Sequence, residues 1–293
     1  MNRFGFMRDH REAWPVSAMA EALGVSTSGY HGWVDRPTSS RRQQREQLAK
    51  AVAQVFQDSH GNYGSRKVAE ELTRRQVQAC RNTVAKLMRE NDLQSQAQKR
   101  RRYVVTTDSD HEQPIAANVL DRQFTASRPD QKWVADITYV ATQAGWVYAA
   151  LVMDLYARRI VGWAVREDLS TSLVTDALQD ALDRRRPGAD LLHHSDRGSQ
   201  YASDAYRKLL TDHRIRCSMS RRGNCWDNAA MERCMGTYKH EWVKGTIYEG
   251  LNDVRTGLFA FAEIYYNRQR IHQAIGYVTP VEHEAAYHQK HAA

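Results

Sequence analysis

The sequence predicts a mixed α/β domain with small all-α modules in front of it, and three observations carry that prediction. Between residues 12 and 93 the apolar side chains recur at helical spacing. From residue 131 the texture changes to short β-branched and aromatic runs separated by turn residues. Within that second half, acidic residues stand where strands and helices would deliver them to one place. The clearest is Leu191–Leu192–His193–His194–Ser195–Asp196–Arg197–Gly198, an apolar run that ends in an aspartate and a turn.

The chain has 293 residues, enough for two or three domains, each with a core. At 42% hydrophobic it is too apolar for general disorder, and no apolar run approaches the ~18 residues of a membrane span. The segment Met1–Arg11 is charged and has no signal-peptide core, so the cytoplasm is the expected location. A formal net charge of +8 points to a polyanionic partner, most simply nucleic acid, against the plainer alternative of a solvated basic surface. The four cysteines, Cys80, Cys217, Cys225 and Cys234, form no C-x-x-C pair. Cys225, Cys234 and His240 fit no common zinc spacing.

In chain order, Val16, Met19, Ala20 and Leu23 make one helical stripe; Gly24 ends it, and Ser26 can cap a second helix running to Trp33. Such a hairpin is either a helix-turn-helix reader or a packing module. Residues 1–42 are read as this hairpin with a linker, and 43–98 as a helix-turn-helix-like module. In that module Leu48, Val52 and Val55 form one face. Val68 and Leu72 lie on a helix that Ser65 can cap, and Val84, Leu87 and Met88 form the last stripe. Arg81, Asn82 and Lys86 occupy polar positions of that last helix. Arg and Asn can read base edges and Lys can hold phosphate, so DNA contact is expected there. Residues 99–130 read as a basic, polar linker whose cluster Lys99–Arg100–Arg101–Arg102 would track phosphates.

The domain over 131–245 opens with three close strands, 133–141, 146–155 and 159–165, as an antiparallel meander. An amphipathic helix over 171–185 buries Leu173, Val174, Ala177, Leu178, Ala181 and Leu182. The strand ending at Asp196 follows, then a helix over 203–213, a strand over 215–219, a basic loop with Arg221 and Arg222, and a helix over 229–243. The order β-β-β-α-β-α-β-α is that of an RNase H-like mixed five-stranded sheet with flanking helices. Residues 246–293 are read as a helical tail.

In such a fold Asp136 on the first strand, Asp196 at the end of the fourth and Glu232 on the last helix converge. Two aspartates and a glutamate are hard oxygen donors suited to Mg²⁺ or Mn²⁺. Three packed carboxylates repel, which raises at least one pKa in the absence of metal. Two ions per site can assist an in-line phosphoryl displacement without a covalent nucleophile. Lys239 lies two helical turns after Glu232 on the same side and is expected to hold a DNA phosphate. Asn228 can cap the last helix or sit at the metal mouth. Asp154 is read as structural, with Arg158 or Arg159 as its partner. Of His193 and His194, one is expected in the core and the other near the site.

These residues carry a resemblance. Trp133-x-x-Asp136-Ile137-Thr138-Tyr139, His194-Ser195-Asp196-Arg197-Gly198-Ser199-Gln200-Tyr201 and Asp227-Asn228-Ala229-x-x-Glu232 with Lys239 resemble the DDE transposases of bacterial insertion sequences. The nearest likeness is to the second-reading-frame product of insertion-sequence family three, kin of the retroviral integrases. The tail Tyr266-Asn267-x-x-Arg270-x-His272-x-x-Ile275-Gly276-Tyr277-x-Thr279-Pro280, the Leu23-Gly24-Val25-Ser26 segment and the 61–93 module resemble it too. The departures are Cys225 and Trp226 before Asp227, and Met235-Gly236-Thr237-Tyr238 in place of a more hydrophobic run. The resemblance implies an integrase catalytic core, Mg²⁺ dependence, and cleavage and strand transfer at an element's terminal inverted repeats. It also implies multimers on double-stranded DNA at the bacterial nucleoid, and a possible upstream-frame fusion partner. A nuclease of the same fold without strand transfer, and a non-catalytic DNA-binding regulator, are the alternatives.

Overall fold

The computed structural model describes residues 2–36, 39–95 and 113–292. The Lys99–Arg102 cluster therefore lies outside the described residues, as does part of the expected 36–42 linker. The chain divides into two compact units, Met1–Ala53 and Gln54–Ala293.

In the first unit, α1 (Arg3–Asp9), α2 (Val16–Leu23) and α3 (Thr27–Val34) close on Met7, Met19, Ala20 and Tyr30. Gly24 ends α2 with φ 63°, a left-handed value that costs glycine nothing. The Ser26 side chain accepts a hydrogen bond from Gly29 N and caps α3. Helix α1 was not foreseen; of its residues only Met7 is buried, so it shows little periodicity. A long helix α4 (Ser40–Asp58) runs from this unit into the next.

The second unit begins with α5 (Ser65–Arg74) and α6 (Arg81–Glu90), which bury Val68, Leu72, Val84, Leu87 and Met88. The cap of α5 is Gly64, and Ser65 is its first helical residue.

The sheet has five strands in the order β3-β2-β1-β4-β5. Strands β1 (Lys132–Thr142), β2 (Gly145–Asp154) and β3 (Ile160–Arg166) form the antiparallel meander, with Asp136 opposite Leu151. Strand β4 (Leu192–Ser195) pairs parallel to β1, and β5 (Arg216–Met219) pairs parallel to β4. Helix α7 (Thr171–Arg185) carries the chain from the edge strand β3 across to β4 beside β1, and α9 (Asp204–Asp212) supplies the crossover between the parallel neighbours β4 and β5. A short helix α8 (Ser199–Ala202) precedes α9.

Alternation along β1 divides the core. Trp133 and Ala135 face a layer built from α7, α8 and α9. Val134 and Val140 face the layer of α10 (Ala229–Tyr238), α11 (Leu251–Phe259) and the π-helical continuation 260–269. The chain ends in α12 (Pro280–His291), started by a capping box between Thr279 and Glu282. Among the described residues no helix is long and apolar enough to cross a membrane.

Helix α7 lies hard against β3 at Gly162. A Cβ there would stand 2.4 Å from the Ala177 carbonyl oxygen and 2.6 Å from the Ala181 Cβ. Backbone cannot yield as a flexible side chain can, so Gly162→Ala is expected to cost about 3 kcal/mol in urea unfolding. A loss under ~0.5 kcal/mol would show that α7 can lift without penalty.

Candidate active site

Each acidic residue owes its place to a different element. Asp136 is on β1, the central strand, whose neighbours on both sides fix its register. Asp196 follows β4 directly, and β4 is parallel to β1, so both run toward the same edge. Asp196 Oδ1 accepts from Gly198 N at 3.0 Å, which fixes the turn. Glu232 lies in the first turn of α10, where a carboxylate is favoured by the helix dipole.

The three are brought into electrostatic contact. Burial pushes the Asp136 carboxyl well above its ordinary value; the Asp196 charge adds to this, and Glu232 adds less. The Ile137 amide, at 2.8 Å, and the Lys239 ammonium oppose the shift. Burial also raises Glu232. Among the described residues no three His, Cys, Asp or Glu side chains are already gathered round one ion-sized point. Asp196 weighs more on the Asp136 carboxyl than Glu232 does.

Lys239 begins the π-helical turn after α10, with its Nζ 4.1 Å from the centre of the Tyr139 ring. Asn228 stands at the N-cap of α10, but its side chain makes no capping bond to the helix. Its amide donates to the Ala135 carbonyl at 3.0 Å, tying the start of the Glu232 helix to the residue before Asp136. Its Oδ1 is buried and has no hydrogen-bond partner among the described residues. Three hard oxygen donors and an idle buried acceptor fit a hydrated divalent cation.

Asp227 anchors the loop. Fully buried, it accepts from Arg221 N, Nε and Nη2, from Arg122 Nε and from Asn118 Nδ2, all within 3.0 Å. The Arg221 bonds, against the opposing effect of burial, hold its carboxyl far below the usual range. Arg221 is thus engaged by Asp227, while Arg222 is exposed. Arg81, Asn82 and Lys86 are exposed on α6.

Two expectations need correction. Asp154 makes no direct ion pair with Arg158 or Arg159. It accepts from the Asp130, Tyr156 and Ala157 amides, Arg159 pairs with Glu284, and Arg158 donates to the Phe124 carbonyl. Burial raises Asp154 to about 6. His193 and His194 are both in the core. His193 Nε2 meets the Tyr206 hydroxyl, and His194 bridges Ser218 and Ser220. Burial lowers them to about 3 and about 4, so both imidazoles are neutral.

Sequence reasoning missed Asn118 and Arg122, because 99–130 reads only as polar linker and their partner is over a hundred residues on. It also missed Tyr201. Its ring packs on Tyr206, its hydroxyl is buried without a partner among the described residues, and the Asp136 and Asp196 charges both reach it. The signal was its place in the run after Asp196.

Comparison with known proteins gives the chain a family. Residues 126–225 and 213–280 match two models described as integrase core domain, and 43–102 match an HTH-like domain. Fold and matches together define an integrase-core protein with a helix-turn-helix-like domain. A 31 kDa protein of insertion element IS600 from Shigella sonnei is 39% identical over 92% of this chain and 99% of its own length. The transposase InsF of insertion sequence IS3A from Escherichia coli K12 is 34% identical over 96% of this chain and 98% of its own. The chain belongs to the insertion-sequence transposase family that includes the InsF proteins of IS3. The HTLV-2 integrase catalytic core, solved in complex with magnesium, is 14% identical with a TM-score of 0.43, covering 54% of this chain and 99% of that one.

Proposed function

We propose that the chain is a DNA transposase that cuts and joins the ends of an insertion sequence, with Asp136, Asp196 and Glu232 as its metal-binding carboxylates. The observation that supports this most directly is the buried Asp136 carboxyl, destabilised as an anion by Asp196 and then Glu232. Protein groups leave that charge poorly compensated, and cations are its natural complement. When bound, Mg²⁺ or Mn²⁺, two per site, would supply Lewis-acid stabilisation of the attacking and leaving oxygens.

The chain's own residues hold the rest in place. Asn228 and Asp227 fix the start of α10, so the Glu232 carboxylate approaches β1 from a set origin. Lys239, whose charge reaches Asp136, pairs with a DNA phosphate beside the scissile one. Arg81, Asn82, Lys86, the Lys99–Arg102 cluster and Arg222 contact double-stranded DNA away from the chemistry, and Arg221 does so from its place on Asp227. At the scissile phosphate a bond forms from the attacking oxygen to phosphorus as the bond to the leaving 3′-oxygen breaks. The attacking hydroxyl's proton goes to solvent, and the leaving 3′-oxygen takes a proton from solvent to become a 3′-hydroxyl. Water gives cleavage; a DNA 3′-hydroxyl gives strand transfer.

The test incubates the protein with Mg²⁺ and labelled duplexes carrying element ends, beside Asp196→Asn. Nicked and joined products are expected from the native chain alone. Nicking without joining of pre-cleaved ends would reduce the reading to a nuclease. Equal activity in the variant would remove Asp196 from the site.

A further inference from the structure

We propose that Trp146, Tyr139 and Lys239 form a stacking shelf for an unpaired nucleotide of the DNA, toward the turn of the hairpin that carries Asp136. The inference rests on the transposase reading and adds a ligand subsite to it. Trp146 is 55% exposed, an unusual state for a tryptophan in a regular strand. It stands at the start of β2 opposite Ala141. Its ring meets Tyr139 edge-on, with centroids 5.1 Å apart and planes at 83°. On Tyr139 also rests the Lys239 ammonium, 4.1 Å from the ring centre. The aromatic pair lies toward the turn end of the hairpin, with Asp136 further along the same ladder opposite Leu151.

The support under the shelf is stiff. The turn after β1 is held to the chain beyond α10 by Gln143 N to Tyr248 O at 2.9 Å and Ala144 N to Glu249 O at 3.1 Å. Thr142 Oγ1 donates to the Gly145 carbonyl at 2.8 Å. Trp146 is therefore presented by a braced hairpin, with little further ordering needed on binding.

The ligand follows from the chemistry. An exposed indole and a lysine that both pack on Tyr139 offer stacking to a base and charge pairing to a phosphate. A base within a duplex has both faces covered by its neighbours, so only an unpaired or terminal base can use the ring. The net charge of +8 and the HTH-like and integrase-core matches favour a nucleotide over an apolar protein segment.

The experiment uses the full chain in EDTA. The probes are a blunt duplex and the same duplex with a three-nucleotide 3′ tail carrying 2-aminopurine. The native chain is expected to quench the 2-aminopurine and to bind the tailed probe about tenfold more tightly than the blunt one. Trp146→Ala should abolish quenching and equalise the two affinities, with an unchanged melting temperature because the ring is exposed. Trp146→Phe should retain most of the preference, and Trp226→Ala, at another exposed tryptophan, should leave quenching intact. The proposal is overturned if Trp146→Ala keeps the tail preference, or weakens both probes equally. It is also overturned if quenching follows Trp226, or if Trp146→Ala changes only the sedimentation of the free protein, which would make the face a contact between copies. Because quenching is read without metal, a native chain that quenches but never cuts with Mg²⁺ defeats the catalytic reading alone. An active chain whose Trp146→Ala variant keeps the tail preference defeats only the shelf.

Discussion

Replacing Asp136 with asparagine is expected to abolish metal-dependent strand cleavage while raising the melting temperature of the metal-free protein. Activity should fall at least about 10³-fold, corresponding to ~4 kcal/mol of lost transition-state stabilisation. The opposite sign for stability comes from the raised Asp136 pKa, caused by burial and then by Asp196. Between the unfolded carboxyl's pKa near ~3.9 and its raised folded value, the folded chain holds the proton more tightly. Its stability therefore falls as pH rises through that window, and the loss persists above it. Asparagine carries no charge and removes that loss. Melting in EDTA at pH 5 and pH 8 should show the variant gaining more at pH 8. Added Mg²⁺ should stabilise the native chain and leave the variant nearly unmoved. A variant less stable than the native chain at pH 8 in EDTA would show that Asp136 is not under the strain assigned to it.

The second large effect is structural. Glu241 and Arg270 are almost fully enclosed, with side chains 8% and 11% exposed, and Arg270 donates twice to the carboxylate at 2.7 Å. The Tyr265 hydroxyl adds a third bond at 2.8 Å. Burial alone would raise Glu241, but the Arg270 bonds and charge override it and the net shift is downward. Arg270→Ala leaves that carboxylate buried with its main partner gone, and should cost about 3–5 kcal/mol in urea unfolding. Replacing both, as Glu241→Leu with Arg270→Met, should cost far less, since no charge is then stranded. A double variant as unstable as Arg270→Ala would show that packing, rather than the unpaired charge, sets the loss.

Periodicity explains what could be read in advance. The meander and α7 follow simple rules: short β-branched and aromatic runs between turn residues on strands covered from both sides, and a six-residue apolar stripe on one helix. Asp136 and Asp196 stand out in the sequence because each is a charge at an apolar or turn position, whereas Glu232, in a first helical turn that welcomes a carboxylate, stands out only with its flanking motif. The Asp227 clamp was not legible. Its donors Asn118 and Arg122 sit in a segment with no period, and only tertiary closure places them. The same holds for Asn228, whose local reading as a cap is sound chemistry that a bond to Ala135 outcompetes. The π-helical stretches at 239–243 and 260–269 were read as ordinary helix, because one extra residue per turn leaves almost no trace in composition.

The position of β1 at the centre of the sheet bears on how the chain survives its own synthesis. It is eleven residues long, and its second neighbour, β4, is made only after β2, β3 and α7. Until β4 arrives, the side of β1 away from β2, including the Lys132–Val134 stretch that β4 pairs with, is an open row of amides and carbonyls. Such a row is a template for any other extended chain. A fragment ending between β3 and β4 keeps that edge for good. It would be drawn into intermolecular β-pairing, and the aspartate on that strand would be the one charge on its middle to discourage it.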